Sequence, residues 1–112
     1  MKKIEAIIRK EKLERVKMLL STLGYHGITV AEVSGLSSQG ENPFKSGSGA
    51  QKPDYLPKLK IELVINDEDV SQVLSAIVRG AKTGGNGDGN IFIIPIEGMV
   101  KVRTFDSGIQ AM

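Results

Sequence analysis

From Lys3 to Arg9 the chain alternates, with Ile4, Ala6 and Ile8 on one side and Glu5 among the residues opposite, the period of a half-buried strand. From Glu11 the period lengthens. Leu13, Val16, Leu20 and Leu23 recur at helical spacing, and Gly24 stands where a C′ glycine would end the helix. Gly27 to Ser34 returns to strand, with Ile28, Val30 and Val33 as its apolar residues. Leu59, Ile61, Leu63 and Ile65 alternate with Lys58, Lys60, Glu62 and Val64 and predict a third strand. Asn66-Asp67-Glu68-Asp69 offers an N-cap and first-turn acids to a second helix, whose stripe is Val70, Val73, Leu74, Ile77, Val78 and Ala81. Ile91 to Arg103 reads as the last strand, interrupted by Pro95 and Gly98, and residues 104–112 read as a tail.

The order is β-α-β-(long loop)-β-α-β. It predicts an α+β, ferredoxin-like fold, a four-stranded antiparallel sheet with both helices on one face, as one domain over residues 1–112. The other sheet face must be wet or covered by another subunit. Ile7, Val64, Val100 and Val102 make it partly apolar, which predicts an oligomer.

Two segments break the periodicity. Gly35 to Asp54 is rich in Gly, Ser, Asn, Gln and Pro, with Phe44 as its large apolar residue. A loop of this length inside a compact domain points to function. Thr83-Gly84-Gly85-Asn86-Gly87-Asp88-Gly89-Asn90 lies between helix and strand and carries four of the 13 glycines. Glycine reaches positive φ without steric cost, so such a loop can turn its amides toward an anion, most often a phosphate. The plain alternative is a long glycine-rich turn.

Composition narrows the classes. A hydrophobic fraction of 40% and a charged fraction of 25% over 112 residues fit a soluble globular domain. The chain has no cysteine, which removes disulfides, thiolate chemistry and cysteine-metal sites. Net charge is +2, and three Phe, two Tyr and no Trp leave few rings to stack bases, so nucleic-acid binding is not expected. No nucleophile–base signature or GxxxxGK[ST] motif occurs, which argues against an enzyme. His26 has no Cys or His companion and reads as a solvated turn histidine. Met1-Lys2-Lys3-Ile4 lacks the apolar run of a signal peptide and no stretch is long enough to span a membrane, so a cytoplasmic protein without membrane insertion is expected.

Several segments together resemble the PII nitrogen-regulatory signalling proteins. Met1-Lys2-Lys3-Ile4-Glu5-Ala6-Ile7-Ile8-Arg9 resembles their opening strand, Gly27-Ile28-Thr29-Val30 with Glu32-Val33 the second, and Leu56-Pro57-Lys58-Leu59-Lys60-Ile61-Glu62 the entry to the third. Thr83-Gly84 and Gly87-Asp88-Gly89, followed by Ile91-Phe92, resemble the B-loop (82–90), and Arg103-Thr104 the end of the last strand. Residues 37–54 fall where the family has its T-loop.

The resemblance implies a homotrimer that binds ATP or ADP, or AMP, in clefts between subunits. It also implies 2-oxoglutarate held through a Mg²⁺ shared with ATP, and a T-loop that docks on a membrane transporter, enzyme or other regulated protein. By the same match, nucleotide contacts fall on Thr29, Gly35, Val64, Gly87, Asp88, Gly89, Asn90, Lys101 and Arg103. Gln39, through the Mg²⁺, and Lys58 fall on the 2-oxoglutarate site.

The departures are specific. Relatives commonly carry arginine at position 101 and lysine at position 90, where this chain has Lys101 and Asn90; fewer charge-assisted contacts favour ADP or AMP over ATP. Ser37-Ser38-Gln39-Gly40-Glu41 replaces the usual Gly-Arg-Gln-Lys-Gly. The uridylylated tyrosine of many relatives falls at Gln51, which has no hydroxyl, the phosphorylated serine of others at Gly49, and the arginine that plugs ammonium channels at Gly47. Phe44 and Lys45 are then the expected partner contacts. The alternative is a PII-like sensor of ADP or AMP with another small anion such as bicarbonate, serving a non-ammonium transporter or a carbon-metabolism partner.

Overall fold

A computed structural model describes residues 1–36 and 55–108. β1 (Lys2–Arg9) runs through a 3₁₀ turn into α1 (Leu13–Thr22) and β2 (Thr29–Leu36); β3 (Tyr55–Ile65), a second 3₁₀ turn, α2 (Val70–Ala81) and β4 (Asn90–Pro95) follow. The sheet is antiparallel with order β2-β3-β1-β4, the ferredoxin-like arrangement. Ala6 lies opposite Ile61 on one side and Ile91 on the other, which fixes the register of the two inner strands and of the β4 edge.

The alternation becomes the core. Ile4, Ala6 and Ile8 from β1 and Leu59, Ile61, Leu63 and Ile65 from β3 meet Val16 and Leu20 of α1 and Val73, Ala76, Ile77 and Ala81 of α2. Each large aliphatic side chain so buried contributes about 1.5–3 kcal/mol. The helices cross at Gly80, where an added Cβ would lie 2.8 Å from Val16 Cγ2 and 3.0 Å from its Cα. Tyr25 also joins them: it packs against the core, and its hydroxyl donates to the Asp69 carboxylate.

Gly24 does end α1. Its φ is +93°, its amide donates to the Ser21 carbonyl at 2.9 Å, and the Tyr25 amide donates to the Leu20 carbonyl at 3.0 Å, the pair of bonds of a Schellman cap. Other boundaries moved. α1 starts at Leu13 after the 3₁₀ turn Lys10–Lys12, β2 is shifted to Thr29–Leu36, and β3 begins at Tyr55 because Leu36 to Val33 pair with Tyr55 to Lys58. Asn66 makes no side-chain cap. A 3₁₀ turn at Asp67–Asp69 precedes α2, and Asp67 is drawn instead to the N-terminal ammonium at 3.0 Å and Lys2 at 3.1 Å.

The largest correction concerns the last strand. It stops at Pro95 rather than Arg103, because Pro95 lies opposite Lys2, where β1 begins, and among the described residues no partner strand continues past it. The chain then doubles back. Val100 bridges Ser107, the Lys101 amide donates to the Asp106 carbonyl at 2.8 Å, and Phe105 takes a left-handed φ of 62°. The region read as a tail from 104 therefore starts inside a turn. Val100 and Val102 are off the sheet, and Val102 is 98% exposed. The open sheet face is carried by Ile7, Val64, Phe92 and Ile94, set among Lys3, Glu5, Lys60 and Glu62. Lys3 reaches Glu5 at 3.0 Å and Glu62 at 3.3 Å, and Lys60 reaches Glu62 at 3.5 Å.

Candidate functional site

The glycine segment connects α2 to β4, and Asp88 shapes it. The Asp88 carboxylate accepts from the Thr83 hydroxyl, the Thr83 and Gly84 amides at 2.8 Å each, and Arg9 Nε at 3.2 Å. These donors, the Thr83 hydroxyl foremost, hold the Asp88 carboxyl well below the usual carboxylate range. The Gly85 amide donates to Thr83 Oγ1 at 3.1 Å and the Asp88 amide to the Gly85 carbonyl at 3.3 Å, closing the turn on itself.

The loop rests on two cations. Arg9 and Lys58 are register partners across β1 and β3, at the end of the open face beneath the loop. The Arg9 guanidinium lies so close that a Cβ at Gly87 would be 2.9 Å from Nη2, and one at Gly85 3.2 Å. The Lys58 ammonium donates to the Gly87 carbonyl, and Lys58 is only 9% exposed. Gly89 then meets β1 edge-on. Its φ is +108°, and a Cβ there would fall 1.7 Å from the Ile7 carbonyl oxygen, so no other residue fits. On the helix side, a mainly apolar cleft of about 370 Å³ runs beneath the loop between Ile77, Val78, Ala81 and Ile91.

The other expected nucleotide residues divide into two groups. Thr29 lies opposite Glu62 and Val64 two residues further along β3, so the two are diagonal neighbours on the open face. Gly35 is on that face of β2, opposite Leu56, and Asn90, exposed, is on that face of β4, opposite Ile7. Gly35, Thr29, Val64, Lys58, Asn90 and the loop therefore share one side of the sheet. Lys101 and Arg103 do not join them. Both are exposed in the 101–108 turn, and among the described residues neither bonds to the loop. Both positions fall in the stretch that reads as the last strand from sequence, but β4 ends at Pro95 and they lie in the turn beyond it. Gln39, Phe44, Lys45 and the rest of the 37–54 segment lie outside the described residues.

Arg9 was missed. It ends the first strand as one more polar residue, and nothing in the alternation says that a loop some 80 residues on will settle on it. The one signal is that Arg9 and Lys58 both continue the polar face of strands that must pair. His26 Nδ1 is 3.1 Å from Ser21 Oγ, a surface contact, and among the described residues no cluster of His, Cys, Asp or Glu could hold a metal ion.

Comparison with known proteins decides the family. The family model "Nitrogen regulatory protein P-II" matches residues 1–106. The chain belongs to the P-II family. The P-II 2 protein of Methanothermobacter thermautotrophicus is 48% identical over 112 residues, covering 100% of this chain and 97% of that protein. The P-II protein of Bradyrhizobium diazoefficiens is 45% identical over 112 residues, covering all of both. Among solved structures, Arabidopsis thaliana PII bound to citrate matches with a TM-score of 0.81 at 32% identity, covering 99% of this chain and 91% of that one. P-II membership carries a general role in nitrogen-regulatory signal transduction, as a regulator rather than an enzyme. Among the described residues of this P-II protein, no helix is long and apolar enough to cross a membrane.

Proposed function

We propose that this P-II protein is a trimeric sensor of adenine nucleotides that controls a partner protein through residues 37–54. The observation that carries the reading is the glycine loop, pinned by Asp88 and seated on Arg9 and Lys58. A loop held this firmly from within is preorganised, so a ligand meets little ordering cost. Among the described residues no acceptor takes the amides of Gly87 and Gly89, which leaves them for phosphate oxygens. Thr29 and Val64, diagonal neighbours on the open face, supply a hydroxyl and an apolar contact for the base, and Gly35, six positions further along β2, lies at the loop end of that face. Arg103 and Lys101, exposed on their turn, reach the phosphates of a neighbouring subunit's site.

Asn90 places a neutral amide beside the loop, so ADP or AMP is preferred to ATP. Lys58 and Arg9 make the end of the face cationic, which suits a dicarboxylate such as 2-oxoglutarate, held with Gln39 and Mg²⁺. Gln39 carries an amide oxygen, a donor suited to a hard cation. Calorimetry with ATP, ADP and AMP, each with and without Mg²⁺ and 2-oxoglutarate, tests the reading. Binding of ADP below millimolar concentration is expected, and no nucleotide binding in that range would rule it out.

A further inference from the structure

Lys58 is placed to do more than attract an effector. Its Cα is held by ladders on both sides, opposite Arg9 of β1 and Val33 of β2, so the base of the side chain cannot drift. Its stem is buried, and its ammonium ends on the carbonyl of Gly87, itself buried. The loop thus has two anchors of opposite polarity. The Asp88 carboxylate gathers the Thr83 and Gly84 amides at the start of the loop, and the Lys58 ammonium holds a carbonyl in its later half. A buried carbonyl that loses its donor is costly, and the later half would then have to rearrange.

We infer that Lys58 is a positioning residue of the loop: through the Gly87 carbonyl it sets the shape of residues 85–89, so nucleotide affinity depends on it with no dicarboxylate present. The inference deepens the nucleotide reading above and rests on it. It distinguishes two roles for one ammonium. A residue that only binds a dicarboxylate would leave nucleotide affinity unchanged when the dicarboxylate is withheld. A residue that shapes the loop would not.

The test is Lys58→Met, read by ADP calorimetry without dicarboxylate and by amide hydrogen exchange. The expected result is ADP binding weakened about tenfold, the size of one lost charge-assisted hydrogen bond. Exchange should quicken at residues 84–90 and stay unchanged in β1 and α2. If Lys58→Met does not fold, Lys58→Gln, which keeps polarity and loses the charge and reach, is read in the same two ways with the same expectation. Unchanged ADP affinity together with unchanged loop exchange would overturn the inference. A wild-type protein that binds no nucleotide would overturn the proposed function instead, and the exchange measurement would still decide whether Lys58 holds the loop.

Discussion

Asp88 accepts from two backbone amides and a threonine hydroxyl of its own loop and from Arg9 of β1, so its charge is spent shaping the loop and tying it to the sheet. Its carboxyl is lowered below the unfolded value of about 3.9, and the sign of the pH effect follows. The stabilisation is fully present above that pH and is lost as pH falls through and below it. Asp88→Asn should therefore flatten the acid limb of the stability curve, seen as a smaller drop in Tm between neutral pH and pH ~3 than in wild type. The glycines of this loop were legible in the sequence because their density has few other uses. The role of Asp88 was legible only as part of a motif. Arg9 was legible only as a polar-face residue paired with Lys58, not as a partner of Asp88, since that contact spans 79 positions.

The elements were legible wherever one face is buried. Strict alternation gave β1 and β3, and the stripe from Val70 to Ala81 gave α2. Boundaries failed where pairing decides, as at β4, which ends because β1 begins opposite Pro95. Gly80 reads as a weak point in a helix, yet it is where the two helices meet. Gly80→Ala gains about 1 kcal/mol of helix propensity and forces a Cβ against stiff, β-branched Val16, an overpacking of about 1–3 kcal/mol. A net loss of about 1 kcal/mol in urea denaturation is expected. Tyr25 links the exit of α1 to the entry of α2, and burial together with the Asp69 bond pushes its hydroxyl up to about 12. The folded pKa is raised above the unfolded value of about 10, so this stabilisation is complete below pH ~10 and is lost between there and pH ~12. Tyr25→Phe should lose about 1 kcal/mol at neutral pH, and its stability should fall less steeply than wild type's above pH 10.

At the scale of the molecule, one sheet face is sealed by helices and the other is not. Ile7, Val64, Phe92 and Ile94 lie on the open face, and Phe92 is 49% exposed. The fold class, and an open sheet face that is partly apolar, were legible from strand alternation. Which residues supply the apolar surface was half legible: Ile7 and Val64 follow from it, whereas Val100 and Val102 left the sheet with the end of β4. We expect a trimer in sedimentation equilibrium, and Phe92→Asp should shift it to monomer while far-ultraviolet circular dichroism keeps the wild-type shape. The site proposed here joins the loop of one chain to the Lys101–Arg103 turn of another, so it exists only in that assembly. The most direct measurement is ADP calorimetry on the trimer, comparing wild type with Gly89→Ala, whose Cβ cannot pass the Ile7 carbonyl. Binding below millimolar concentration is expected in wild type, and at least about tenfold weaker binding in the folded variant, as the loss of a shaped phosphate cradle requires. Equal affinity in the two proteins, or none in wild type, would contradict that expectation.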